Sequence, residues 1–266
     1  MLHNIKIAFI GSGNVAWHLS KALENAGYPV VGIFSRTKKN AEKLASKMYN
    51  AAPTDQLDFS ESNANLFFIC VHDDSISQVC YDLKLPENSI VVHTSGSQPI
   101  EILKSQQTIK KGVFYPLQTF TKDTFLNIDE VPFCIEAENE NTEHELVKIA
   151  QKISKTVYLV SSFERQILHI SAVFACNFTN HLLALSKEIL DREKLEFDLL
   201  KPLIYQTFKK AFEAIDPFEV QTGPAIRKDF IMMNKHLEYL KNDILKKEIY
   251  QVISDSIIET GLKLKN

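Results

Sequence analysis

The stretch Ile5-Lys6-Ile7-Ala8-Phe9-Ile10-Gly11-Ser12-Gly13-Asn14-Val15-Ala16 decides the fold. Ile5–Ile10 reads as a short buried strand. Asn14–Ala26 then carries apolar residues at helical spacing and stops at Gly27. The turn between them is G-x-G-x-x-A. The first glycine permits a tight turn, the second lets backbone approach a pyrophosphate, and the small Ala16 allows close helix–strand packing. The helix start beyond it offers unpaired N–H groups and the positive end of a dipole. Strand, turn and helix in this order predict a dinucleotide site at Gly11, Ser12, Gly13, Asn14 and Val15.

Working outward, Pro29–Phe34 is a second predicted strand, followed by Ser35-Arg36-Thr37-Lys38. A site for NAD places an acid about 20 residues past the glycine turn, on the ribose 2′-hydroxyl. No acid stands here. Ser35, Arg36 and Thr37, with Lys38, suit a 2′-phosphate, so NADP is the expected cofactor. Thr37–Met48 is a predicted helix. Leu66–Val71 is a continuous apolar run, as in a strand buried on both faces. Further strands are predicted at Ser89–His93, Gly112–Tyr115, Pro132–Glu136 and Thr156–Val160. Helical segments at Ser75–Leu83, Pro99–Lys104 and Thr142–Ser154 lie between them. Alternating strands and helices give an α/β fold, a doubly wound, mostly parallel Rossmann sheet over residues 1–161. The character then changes. Phe163–Leu190, Phe197–Ala214, Pro224–Lys241 and Leu245–Lys263 all read as helices, so residues 162–266 form an all-α domain.

Ligands of such sheets bind beyond the carboxyl ends of the strands. Val71 ends one strand there, and Asp73 or Asp74 just beyond it can cap the next helix. Ser95 and Gly96 suit close approach to the nicotinamide end of the cofactor, and Tyr115 ends a further strand. On the long helix, His169, Asn177, Asn180 and His181 fall within about 80° of arc at 100° per residue. His169 and Asn177 lie about 12 Å apart along the axis and can flank one substrate. His169 is the leading acid/base, because imidazole titrates near neutral pH, with Asn177 orienting substrate and His181 contacting it. Thr222 reads as an N-cap and Pro224 as a first-turn residue, placing Arg227 one turn in as an anchor for a carboxylate.

The chain has 266 residues and a net charge of −3. Residues 1–162 hold 15 basic and 18 acidic side chains, so no basic arm exists to meet a nucleic-acid backbone. No stretch approaches the roughly 20 apolar residues of a membrane span, and the N-terminus is unlike a signal peptide. Cys70, Cys80, Cys134 and Cys176 are scattered, which indicates neither disulfides nor a metal site and fits a cytoplasmic setting.

Three segments carry a family resemblance: Tyr115-Pro116-Leu117-Gln118-Thr119-Phe120, Ala172-Val173-Phe174-Ala175-Cys176-Asn177-Phe178, and Thr222-Gly223-Pro224-Ala225-Ile226-Arg227-Lys228-Asp229. With the glycine turn, the chain resembles the bacterial Rossmann-like proteins with a C-terminal helical domain of unknown function. These are distant relatives of pyrroline-5-carboxylate reductase, ketopantoate reductase and 6-phosphogluconate dehydrogenase. The resemblance implies an NADP-dependent oxidoreductase, homodimeric through the helical domain, an inference the apolar length of Phe163–Leu190 shares. Tyr115 stands where such proteins commonly have His, and Val173 where hydroxyacid dehydrogenases of the wider group place a Lys. The expected reaction is hydride transfer between NADPH and a small C=O or C=N substrate bound between the domains, with Tyr115 beside His169 in the catalytic set. The rival readings are a non-catalytic dinucleotide sensor and an NADPH:deazaflavin oxidoreductase.

Overall fold

The computed structural model describes residues 5–105 and 107–263. In chain order the elements are β1 (Ile7–Ile10), α1 (Asn14–Asn25), β2 (Val30–Phe34), α2 (Lys38–Ala45), β3 (Ala52–Thr54), β4 (Leu66–Ile69), α3 (Ile76–Asp82), β5 (Ile90–His93), β6 (Lys110–Pro116), β7 (Phe133–Ala137), α4 (Glu140–Ala150), β8 (Val157–Leu159) and α5 (Ser162–Ala172). A π-helical segment, Val173–Phe178, joins α5 to α6 (Thr179–Arg192). There follow α7 (Lys201–Glu213), α8 (Phe230–Tyr239) and α9 (Ile244–Lys263).

The eight strands form one sheet in the order β3-β2-β1-β4-β5-β6-β7-β8. Every pairing is parallel except β6 with β7. The chain runs outward from β1 in both directions, so the topological switch lies between β1 and β4, where a doubly wound sheet opens its crevice. Alternation splits the side chains between two cores. Ile7, Phe9, Leu66 and Phe68 pack on one face, Ala8, Ile10, Phe67 and Ile69 on the other. On the first face Phe9 stacks on Phe68 at 5.0 Å between centroids, Phe68 meets Phe114 at 5.2 Å, and Phe114 meets Phe133 at 5.1 Å. This aromatic row fixes the register of β1, β4, β6 and β7 beneath the crevice.

The chain divides into two compact units, Met1–Phe174 and Ala175–Asn266. The division falls inside the long helical run rather than at its start, residue 162. The reason is Arg165, the one fully buried side chain of α5. Its Nη1 pairs with the Glu136 carboxylate on β7, and its Nη2 donates to the Gln98 carbonyl. Ser162 adds N–H and hydroxyl bonds to Glu136 at 3.0 and 2.8 Å. A Ser161–Glu164 capping box closes the helix start. These bonds fasten α5 to the sheet unit.

Three sequence expectations change. The helix expected from Pro224 begins at Phe230, and Asp229 caps it by accepting from Met232 N at 3.1 Å. Positive φ at Gly223 and Lys228 turns the backbone through 223–228, so Thr222 is no N-cap and Arg227 is not one turn into a helix. The arc shared by His169, Asn177, Asn180 and His181 assumed unbroken α geometry, which the i→i+5 bonding of Val173–Phe178 interrupts. Finally, Ser162–Arg192 is, by length and composition alone, long and apolar enough to cross a bilayer. Polar residues such as His169, Asn177 and His181 interrupt its apolar run, and the mean hydropathy over 18 residues absorbs them.

Candidate functional site

The crevice is a cavity of about 760 Å³ along the carboxyl ends of β1, β2, β4 and β5. Its floor is the glycine turn. Gly11 has φ +122°, and a Cβ there would stand 2.2 Å from the Cys70 carbonyl oxygen, so only glycine fits between β1 and β4. Gly13 is exposed and would bring a Cβ no closer than 4.0 Å to that atom, which leaves open space above the turn. Gly13 is also the N-cap of α1. No side chain caps this helix, and no acid occupies its first turn. Its leading N–H groups are therefore free to receive an anion, the electrostatic requirement of a diphosphate.

Gly11, Ser12, Gly13, Asn14, Val15, Ser35, Arg36, Val71 and Ser95 all line the cavity. Thr37 and Gly96 do not; Thr37 instead precedes α2, where its carbonyl accepts from Asn40 N at 2.8 Å. Arg36 is exposed at the end of β2, and α2 lacks both a side-chain cap and a first-turn acid. The residues present fit NADP. The turn and helix start would hold the diphosphate, and Ser35 and Arg36 the 2′-phosphate.

At the far end the polar loop after β5 is organised by Asp73. Its carboxylate accepts from the Ser95 hydroxyl at 2.8 Å and the Ser97 hydroxyl at 2.6 Å, and Ser95 Oγ accepts from the N–H groups of Ser97 and Gln98. Asp73 thus makes no side-chain cap, contrary to one reading of the sequence; α3 starts after Ser75 without one. His93 lies fully buried below this loop, and its Nδ1 accepts from Ser95 N at 3.2 Å. Burial, and then the Arg165 charge, push His93 down to about 4, so it is neutral at physiological pH.

Tyr115 and His169 meet beside Gly96. The phenol oxygen lies 3.3 Å from His169 Nδ1. A Cβ on Gly96 would stand 2.7 Å from that nitrogen and 2.8 Å from the phenol oxygen, so the absence of a side chain makes the room in which they meet. Burial first, and then neighbouring Cys134, push the Tyr115 phenol up to about 12, keeping it protonated. Asn177, His181 and Arg227 belong to the second unit, where all three are exposed. Sequence reasoning missed Arg165, which no motif marks, and Lys122, which lines the cavity from a loop. It also left open the role of Asp73.

Fold and cavity define the class: a Rossmann-like unit followed by a helical unit. Comparison with known proteins places it further. The family described as "NADP oxidoreductase coenzyme F420-dependent" matches residues 6–96, and "Domain of unknown function (DUF2520)" matches residues 131–257. A Bacteroides fragilis protein provisionally named an NADP oxidoreductase is 38% identical, with a TM-score of 0.87 over 96% of this chain and 98% of that one. Protein TM1727 from Thermotoga maritima is 23% identical, with a TM-score of 0.70 over 98% and 100%. An imine reductase from Myxococcus stipitatus, solved in complex with NADP+, shares the fold at 14% identity and a TM-score of 0.59 over 97% and 93%. A glutamyl-tRNA reductase from Sulfurisphaera tokodaii is 24% identical over 261 residues. Those residues are 97% of this chain, which spans only 54% of that curated relative. The chain belongs to the NADP-oxidoreductase-like family of that Bacteroides fragilis protein, and it joins an N-terminal domain of the first description to a DUF2520 domain.

Proposed function

We propose that the protein reduces a small C=N or C=O substrate with NADPH and that the Tyr115–His169 pair handles the proton. One observation carries this reading: a protonated phenol and an imidazole meet at 3.3 Å beside the loop whose Ser95 lines the cofactor cavity. NADPH supplies the hydride. With the phenol protonated, its O–H can donate to Nδ1 of His169, which leaves Nε2 carrying the proton a substrate nitrogen or oxygen needs. Asn177, His181 and Arg227 are proposed substrate contacts. Free cysteines fit a cytoplasmic location, and a second copy of the chain is the proposed partner.

The test is NADPH oxidation against a panel of cyclic imines, ketones and aldehydes. Tyr115→Phe and His169→Ala should each lower turnover roughly 10²–10⁴-fold while NADPH affinity stays the same. Full turnover in both variants would remove the pair from the mechanism. The description of the family matching residues 6–96 favours a second acceptor, so a deazaflavin belongs in the panel. Its bleaching by NADPH, with the imines and carbonyls inert, would select that reading.

A further inference from the structure

The segment after β6 does not return directly to the sheet. It leaves Pro116 and reaches α1, which follows β1, three strand positions away. At about 4.8 Å per strand that is roughly 14 Å. The segment bends first, Gln118 N donating to the Pro116 carbonyl at 3.0 Å, and this strap then meets α1 through Phe120 and Thr121. Two hydrogen bonds tie it down. Asn14 Nδ2 donates to the Phe120 carbonyl at 2.8 Å, and His18 Nε2 lies 2.9 Å from the Thr121 carbonyl, which can only accept. The Phe120 ring packs against the His18 ring at 5.6 Å.

The residue that follows the ties is Lys122. It lines the cavity together with the glycine turn, and its ammonium also lies 5.5 Å from the Trp17 ring centroid on α1. Arg36 and Lys122 are the Arg and Lys side chains among the lining residues. The glycine turn contributes N–H dipoles but no formal charge, whereas a dinucleotide brings two negative charges on its diphosphate.

We propose that Lys122, delivered by this strap, is the side-chain counter-ion for the diphosphate of the bound dinucleotide. The inference rests on the dinucleotide reading of the cavity. It divides the cations: Arg36 serves the phosphate that NADPH alone carries, and Lys122 the phosphates that NADPH and NADH share.

The experiment is a fluorescence titration of wild type, Lys122→Met and His18→Ala with NADPH and with NADH at two salt concentrations. Lys122→Met should weaken both nucleotides by the same factor, roughly tenfold, and flatten the salt dependence of Kd. His18→Ala, which loosens the strap and removes no cavity wall, should weaken both in the same direction but less. Unchanged melting of the unliganded variants shows that they fold. Unchanged affinity for both nucleotides in Lys122→Met would overturn the proposal, as would a loss confined to NADPH, since that assigns Lys122 to the 2′-phosphate. Wild-type protein that binds neither nucleotide would overturn the dinucleotide reading itself.

Discussion

Gly96 shows how one missing side chain shapes the site. Its Cβ position is already filled by the His169 imidazole and the Tyr115 phenol. Gly96→Ala must push the pair apart, because contacts below 3.0 Å are not tolerated. The backbone of the loop is held independently by the Asp73 carboxylate and the Ser95 hydroxyl. Gly96→Ala should therefore bind NADPH with little change and turn over at least tenfold more slowly, by analogy with small misplacements of catalytic groups. Steady-state kinetics beside a binding titration would check it. Unchanged turnover would place the chemistry elsewhere. Glycine was legible at this position in the sequence, but its purpose was not. The polar turn suggested cofactor approach, and the neighbours that fill its Cβ space lie 19 residues and 73 residues further along the chain.

Elements were legible where their signals are local. The buried strands Leu66–Ile69 and Ile90–His93, the glycine turn and α1 follow from apolar runs and helix punctuation, and they appear within a few residues of expectation. The start of α8 was not legible. Pro224 is a good first-turn residue, yet positive φ at Lys228, a residue with no special liking for it, postpones the helix to Phe230. The π segment was equally invisible, because a pattern read at 100° per residue presumes the geometry it is meant to detect. Arg165 is the plainest omission. A sequence shows an Arg on an amphipathic helix, and only the fold reveals Glu136 opposite it, 29 residues back. That pair joins α5 to β7, and α5 carries His169 one turn beyond Arg165. Glu136→Gln leaves the Arg165 charge buried and unmatched, which should lower stability by about 3–5 kcal/mol. Denaturant melts of Glu136→Gln and of Glu136→Gln with Arg165→Met would show it, the double variant recovering part of the loss. Equal stability of Glu136→Gln and wild type would mean that solvent, not Glu136, satisfies Arg165.

The whole molecule presents an imbalance between its units. The sheet unit buries two full cores. In the second unit only Ala225, Met233, Leu240 and Ser254 are buried among the described residues. Phe212, Ile215, Leu203 and Val252 are exposed there by 82%, 99%, 64% and 68%. Ion pairs knit the helices together, with Lys246 between Glu188 and Asp243 at 2.8 Å each and Arg192 also on Asp243. Lys246 and Asp243 are largely covered in this network, yet so few buried side chains cannot offset the entropy of ordering such a unit. A second copy covering these helices, the partner proposed above, would supply the missing burial. Light scattering should give twice the mass of the 30.3 kDa chain at micromolar concentration. A stable, folded monomer would refute that partner.

The functional expectations depend on the crevice holding NADP, which a titration with NADPH and NADH tests most directly. Wild-type protein should bind both, NADPH more tightly. Arg36→Ala should weaken NADPH by roughly ten- to hundredfold and leave NADH nearly unchanged. Equal affinities that Arg36→Ala does not alter would contradict the 2′-phosphate assignment, and no binding of either nucleotide would contradict the cofactor site as a whole.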